Sequence, residues 1–393
     1  MLFFALFLIV LAGNMANADE AKSDAFEALT RSGFEHYYSL EYDKALRDFQ
    51  KAVEINPEDA RAYNHLLETV LFRELYRHDA LDTSLYTQEG FLNSKQVVLE
   101  PAAKQQIRDL AEKALALSEK RLKSNPQDVQ ALYARGVTRG LRSTYMGLVE
   151  KAWFAALRNA LGSRSDHEAV LTLKPDFVDA KTVVGIHNYI VAVLPLRTKI
   201  LASIIGVTGD KKKGLEYLAE AGKAGGESSA DARVALALFL RREQRYDDAF
   251  KVVESLVKEH PRNFLFALER ANVLKDGGKG PAAISAYRTL LDDSKAGKYT
   301  DPHTELAQFG LGEALRGQNQ YQEAIQAYEA AGGGSSDNHD LRQRALVAAG
   351  EVSDLLTKRE EAVKEYRAAI ALDSSSNEAE LARKYLDKPY KGR

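Results

Sequence analysis

Between Gly33 and Pro57 the chain reads GFEHYYSLEYDKALRDFQKAVEINP, and this stretch decides the fold. Gly33 is followed twelve residues later by Ala45, four further on by Phe49, then by Ala52 and the closing Pro57. The same spacing returns as Ala237, Ala249, Val253, Leu256 and Pro261, and again as Ala271, Ala283 and Tyr287. It returns twice more, as Gly312, Ala324, Tyr328 and Ala331, and as Gly350, Ala362, Tyr366 and Ala369. Two antiparallel helices approach closely only where a side chain is small, so a small residue on each helix at fixed separation marks a hairpin crossing. The residue four positions past the second small one shares its helical face and fills the wedge beside it. Proline then ends the second helix, because it has no N–H to donate and restricts the residue before it.

A single hairpin of this kind cannot bury its apolar face; stacked neighbours share one continuous core. The five units resemble the tetratricopeptide repeat, a helix-turn-helix of ~34 residues. The resemblance implies an all-α solenoid of antiparallel hairpins, about eight units long, working as a non-catalytic scaffold for a protein or peptide. The N-terminal half is irregular: the second unit is split by an insertion at 78–101, the third breaks into pieces at 128–142, 145–161 and 167–173, and the fourth is expanded around Pro195. From Ala230 the array is regular, and Asn377 to Asp387 caps it. The expected division is therefore a leader at 1–18, a divergent array at 19–225, a regular array at 226–376, and a capping helix and tail at 377–393. The Gly/Ser-rich stretch Gly222 to Ser229 is the expected hinge.

At the start, the apolar run Leu2 to Leu11 precedes Gly13 and the triplet Ala16-Asn17-Ala18, after which Asp19-Glu20 is polar. This is the pattern of a secretory signal peptide cleaved after Ala18, and it predicts export to a periplasm or another secretory space. No Lys or Arg precedes the run. The chain has no cysteine among its 393 residues, which excludes disulfides, thiolate metal sites and a cysteine nucleophile. A formal charge of −2 gives no global attraction to nucleic acid.

The concave side of such an array is lined by first-helix residues. The expected contacts to a partner are Phe34, Tyr37 and Tyr38 as aromatic anchors, with Asn64, and Arg241, Arg242, Arg316 and Arg344 setting orientation. Tetratricopeptide domains that clamp a C-terminal carboxylate use a Lys and Asn pair on the first helix, and Thr30 and Phe34 stand at those positions here. The sequence carries no H-E-x-x-H, no G-x-S-x-G and no phosphate-binding G-x-x-x-x-G-K-[ST], so neither catalysis nor a cofactor is expected.

One further stretch stands apart. Val183 to Leu194, Pro195, Leu196 to Val207, then Gly209-Asp210 and Gly214-Leu215, resembles a central segment of the eukaryotic family that includes the yeast inclusion-body clearance protein. That resemblance implies an adaptor near membranes or lipid bodies. Arg135, Arg139, Arg142, Lys151, Arg158 and Arg164, with the single acid Glu150, flank Trp153-Phe154 nearby. A basic aromatic helix of that composition suits an anionic surface, so peripheral membrane contact through 145–207 is the alternative function.

Overall fold

The structure, a computed structural model, describes residues 22–87, 96–194, 207–334 and 338–392. The expected signal peptide, the centre of the 78–101 insertion and the stretch 195–206 lie outside them. Among the described residues every regular element is helical.

Two compact units divide the chain. The first comprises residues up to Leu75 and Lys95–Ser229; the second comprises Tyr76–Ser94 and Ala230–Arg393. In the first unit the helices 22–38, Tyr42–Ile55 and Ala60–Arg77 are followed by Pro101–Ser124, Val129–Leu148, Trp153–Leu173, Ala180–Ala192 and Lys211–Lys223. The last of the first three continues by two residues into the second unit. From Pro101 onward, each helix of this unit packs on the next. The third repeat therefore differs from its expected three pieces. Ser143 and Thr144, which fall between the first two expected pieces, turn their hydroxyls onto the carbonyls of Ala156 and Gly140, and the helix runs through them. The chain turns instead at Val149 to Ala152, where Lys151 takes a left-handed φ of 53°. Gly185 and Gly214 meet backbone to backbone: a Cβ on Gly214 would lie 2.8 Å from the Gly185 carbonyl oxygen.

The second unit is built from first helices Ser229–Arg242, Phe264–Asp276, Thr304–Gly317 and His339–Leu355. They alternate with second helices Tyr246–Glu259, Gly280–Lys295, Tyr321–Gly332 and Arg359–Leu372, and Asn377–Asp387 closes the run. The repeat residues are its core: Ala249, Val253, Ala271, Ala283, Tyr287, Ala324, Tyr328, Ala331, Ala362, Tyr366 and Ala369 are all sealed from solvent. A methyl group added to Gly312 would meet the Tyr328 ring at 2.6 Å, and one added to Gly350 would meet the Tyr366 ring at 2.5 Å. In the first unit Gly33 faces Phe49 in the same way, at 2.4 Å. Glycine here is the absence that lets a ring fill the crossing.

The turn between the two helices is equally regular. Seven residues after each first small residue stands one with left-handed φ: Leu40 (59°), Gln244 (57°), Gly278 (72°), Asn319 (58°) and Thr357 (60°). The residue after each donates to the carbonyl five positions back, Glu41 to His36, Arg245 to Leu240, Lys279 to Leu274, Gln320 to Leu315 and Lys358 to Ser353. This is the helix-ending arrangement in which a left-handed residue lets backbone N–H groups satisfy the last carbonyls. Between repeats, Pro57, Pro126, Pro175 and Pro261 sit inside a turn closed by the N–H three residues past the one preceding proline. Asp128 and Asn263 then cap the following helices through Ala131 and Phe266.

Thr357 is β-branched at a conformation that costs such residues energy, so Thr357→Gly is expected to raise stability by ~1 kcal/mol in urea unfolding. Gly350→Ala, which must displace the Tyr366 ring, is expected to lower it by about 1–3 kcal/mol.

Candidate functional site

First helices of successive repeats in the second unit touch one another, Phe264–Asp276 against Thr304–Gly317 and the latter against His339–Leu355. Their exposed faces line a cavity of about 430 Å³. Its walls include Arg241, Arg242, Asn272, Lys275, Phe309, Glu313 and Arg344. One side is closed by the chain's own residues Asp82 to Thr87, which include the short 3₁₀ turn Thr83–Tyr86.

This segment is held as a ligand would be. The Thr83 hydroxyl donates to the Glu269 carboxylate and accepts from Arg241 Nη1 at 3.0 Å. Asn272 Nδ2 donates to the Ser84 hydroxyl at 3.2 Å, and Arg242 Nη1 donates to the Tyr86 carbonyl at 2.9 Å. Upstream, the Asp79 carboxylate is gripped by His303 Nδ1 and by Asn338 Nδ2, the latter at 2.6 Å. Tyr76 donates to the Asp301 carbonyl at 2.7 Å, and its ring lies 4.3 Å from that of His303. Within the segment, Ser84 N donates to Asp82 and Tyr86 OH to the Ala80 carbonyl, which fixes its bend.

The groove's polar groups are aimed by the core beneath them. Tyr287 OH donates to Asn272 Oδ1 at 2.5 Å, so the amide turns its Nδ2 toward the groove. Tyr328 OH donates to Glu313, and Tyr366 OH to Asp354 at 3.0 Å. Burial raises all three phenols above their ordinary range, with the neighbouring carboxylates adding to the effect for Tyr328 and Tyr366. They therefore stay protonated and act as donors. Arg241 is buried at 4% exposure, yet remains charged because Glu269 (2.7 Å) and Asp276 (2.5 Å) outweigh its desolvation. Burial raises the Glu269 carboxyl despite this partner.

Of the residues expected to meet a partner, the cavity brings together Arg241, Arg242 and Arg344, the last exposed with its guanidinium 4.7 Å from the Phe309 ring centre. Arg316 instead pairs with Glu351 at 2.7 Å and with Tyr390 of the tail at 3.0 Å. Phe34, Tyr37, Tyr38 and Asn64 belong to the first unit. Tyr37 and Tyr38 are buried, and Phe34 is half-buried against Phe49 and His65. Asn64 is buried, donating to the Ala134 carbonyl and accepting from Thr138. The sequence reading passed over Glu269, Asp276 and Phe309; the first two are acids one helical stretch from Arg241, a signal visible only once repeat register is known.

Asp79, His303 and Glu305 bring three potential ligand atoms within 4.8 Å of one another. Both Asp79 oxygens already accept hydrogen bonds, from His303 and Asn338, so the arrangement is that of a hydrogen-bonded ion pair.

Two measurements test this network. Arg241→Met leaves the buried Glu269 carboxylate without its cation and Asp276 with Lys275 alone, at 2.7 Å, and is expected to cost about 3–5 kcal/mol, whereas Arg242→Met removes the bond to the Tyr86 carbonyl and costs ~1 kcal/mol in the same urea titration. His303 is also pH-sensitive. Burial alone would lower it, but the hydrogen bond and charge of Asp79, with Glu305 and Asp301, hold the imidazolium above its ordinary value. The folded state thus binds the proton more tightly. The contribution is full below about pH 6 and is lost as pH rises through the elevated folded value, so proteolysis within 79–87 should quicken toward about pH 8.

Comparison with known proteins agrees with the helical pattern. Residues 208–264 and 268–338 match the family model for the tetratricopeptide repeat. No curated protein matches the chain. Among solved structures, yeast Tom70 is 13% identical, covering 96% of this chain and 93% of its own, with a TM-score of 0.42. The human IFIT1 dimer with m7Gppp-AAAA is 14% identical, covering 94% and 88%, with a TM-score of 0.44. A tetratricopeptide repeat protein from Parabacteroides merdae is 13% identical, covering 83% and 99%, with a TM-score of 0.34. The chain is an all-α, tetratricopeptide-like array of antiparallel helix hairpins, with the repeat family itself matched over 208–338.

Proposed function

We propose that the protein is an exported, non-catalytic scaffold whose second unit binds an extended protein or peptide segment in the groove between its first helices. The observation that carries this reading is the segment Asp79 to Thr87, held there through side chains on two first helices and on the N-caps of the next two. Donors meet both a backbone carbonyl and side-chain hydroxyls, the mixture by which a groove holds a peptide in one register. The space beside the segment, walled by Lys275, Phe309, Glu313 and Arg344, offers a cation, a ring and an acid to the rest of a partner. Export rests on the Leu2 to Ala18 pattern, and a mature chain beginning at Asp19 in an envelope fraction is its check.

The groove is tested with the full chain in which Asp82 to Thr87 are replaced by a Gly/Ser stretch of equal length. A fluorescent peptide of sequence ALDTSLYT, residues Ala80 to Thr87, should bind this variant saturably, and Arg242→Glu should abolish the signal. The unaltered chain should bind at least tenfold more weakly, because its tethered segment competes at an effective concentration on the order of millimolar. No saturable binding to a variant of unchanged helicity removes the peptide-groove reading.

A further inference from the structure

The first unit carries a surface of its own. Large apolar side chains are exposed at few places among the described residues, and three of them fall within five positions: Trp153 at 41%, Phe154 at 89% and Leu157 at 49%. Val98, at 69%, stands by the same corner. Its neighbours are pinned there, Val97 N donating to the Leu148 carbonyl at 3.0 Å and Gln96 Nε2 to the Val149 carbonyl at 2.6 Å. A solvated helix ordinarily keeps such side chains turned inward; Phe154 points out at the first turn of a helix whose other end is packed.

The surroundings are basic. Arg158 is exposed one turn beyond Phe154, and Lys151 Nζ lies 5.3 Å from the centre of the Trp153 ring. Lys151 occupies the left-handed corner between Val129–Leu148 and Trp153–Leu173. The nearby acid Glu150 is answered by Arg108 at 3.4 Å, and Asp166 is held by Arg135 and Arg139. Ala152 stands at the N-cap of Trp153–Leu173 and has no side-chain acceptor to offer the first amide groups of that helix. Rings and a leucine at a tip, cations at its flanks and uncapped amides together suit a layer that is apolar inside and carries phosphate at its edge.

We infer that the corner from Val149 to Arg158 is a membrane-contact surface, seating Trp153, Phe154 and Leu157 at the headgroup level of an anionic bilayer while Lys151 and Arg158 meet lipid phosphates. The contact is interfacial: no described helix is long and apolar enough to cross a membrane. It places the scaffold's first unit on a surface.

Trp153 is the single tryptophan of the chain, so the protein reports on itself. The full chain is titrated at low salt with vesicles of phosphatidylcholine containing one-third phosphatidylglycerol, and with pure phosphatidylcholine. The expected result is a blue shift of the emission on anionic vesicles only, with quenching by lipids brominated near the headgroup and reversal by salt. Lys151→Gln and Arg158→Gln should each weaken binding roughly fivefold. Phe154→Ser, an exposed position that leaves helicity unchanged, should weaken it roughly tenfold. Unchanged emission on anionic vesicles overturns the inference, and so does equal binding to neutral ones. A blue shift that grows with protein concentration in the absence of vesicles, and that Phe154→Ser removes, overturns it in favour of an interface between two copies of the chain.

Discussion

The structure depends on one contact repeated along the chain, an aromatic ring set against a residue that lacks a side chain. At Gly350 and Tyr366, and at Gly312 and Tyr328, the ring occupies the volume where a Cβ would stand. Dense packing leaves no slack at such a crossing. The consequence reaches beyond the core, because each tyrosine carries a hydroxyl at the far end of a ring whose position is fixed. Tyr287 meets Asn272, Tyr328 meets Glu313 and Tyr366 meets Asp354. Asn272 and Glu313 both line the groove. The residue that closes the hairpin thus also sets which way the polar group above it faces. Phe49 and Val253, which occupy the same repeat position, close their crossings without that second role.

The crossings were legible in the sequence because their cause is local: small residues twelve apart and an aromatic four further on survive any variation elsewhere. The turns were not legible. Three of the five left-handed turn positions hold Leu40, Gln244 and Thr357, and only Gly278 and Asn319 have residue types that favour the conformation. Packing of the two helices imposes the turn, and the local cost of about 1 kcal/mol per non-glycine residue is small beside what the hairpin buries. The third repeat misled for a related reason. Ser143 and Thr144 favour breaks in isolation, but here their hydroxyls find carbonyl partners and the helix continues.

The site was half legible. Arg241, Arg242 and Arg344, all first-helix residues, line the cavity, whereas Arg316, the repeat equivalent of Arg241, pairs with Glu351 and Tyr390 instead. What periodicity cannot state is where an insertion goes. Asp79, Asp82, Thr83 and Ser84 have the composition of a solvated loop, and nothing in their spacing points to Glu269 or Arg241, more than 150 residues away. The long connection itself was the only sign, because a compact array seldom carries such a segment without a use for it.

Arg241 shows why that segment sits in one register. A buried cation with two carboxylates contributes little net stability, because desolvating three charges consumes most of the attraction between them. What the triad supplies is a test of geometry. Glu269 accepts from Thr83 while Arg241 donates to the same hydroxyl, and only a side chain with one O–H and free lone pairs at that point satisfies both. An apolar residue there would take one hydrogen bond from each of two buried charged groups, which would keep only their bond to each other and that of Arg241 to Asp276. The charge in the groove therefore acts on selection more than on affinity. Its dependence on a hydroxyl is a requirement that any segment competing for the same place must also meet.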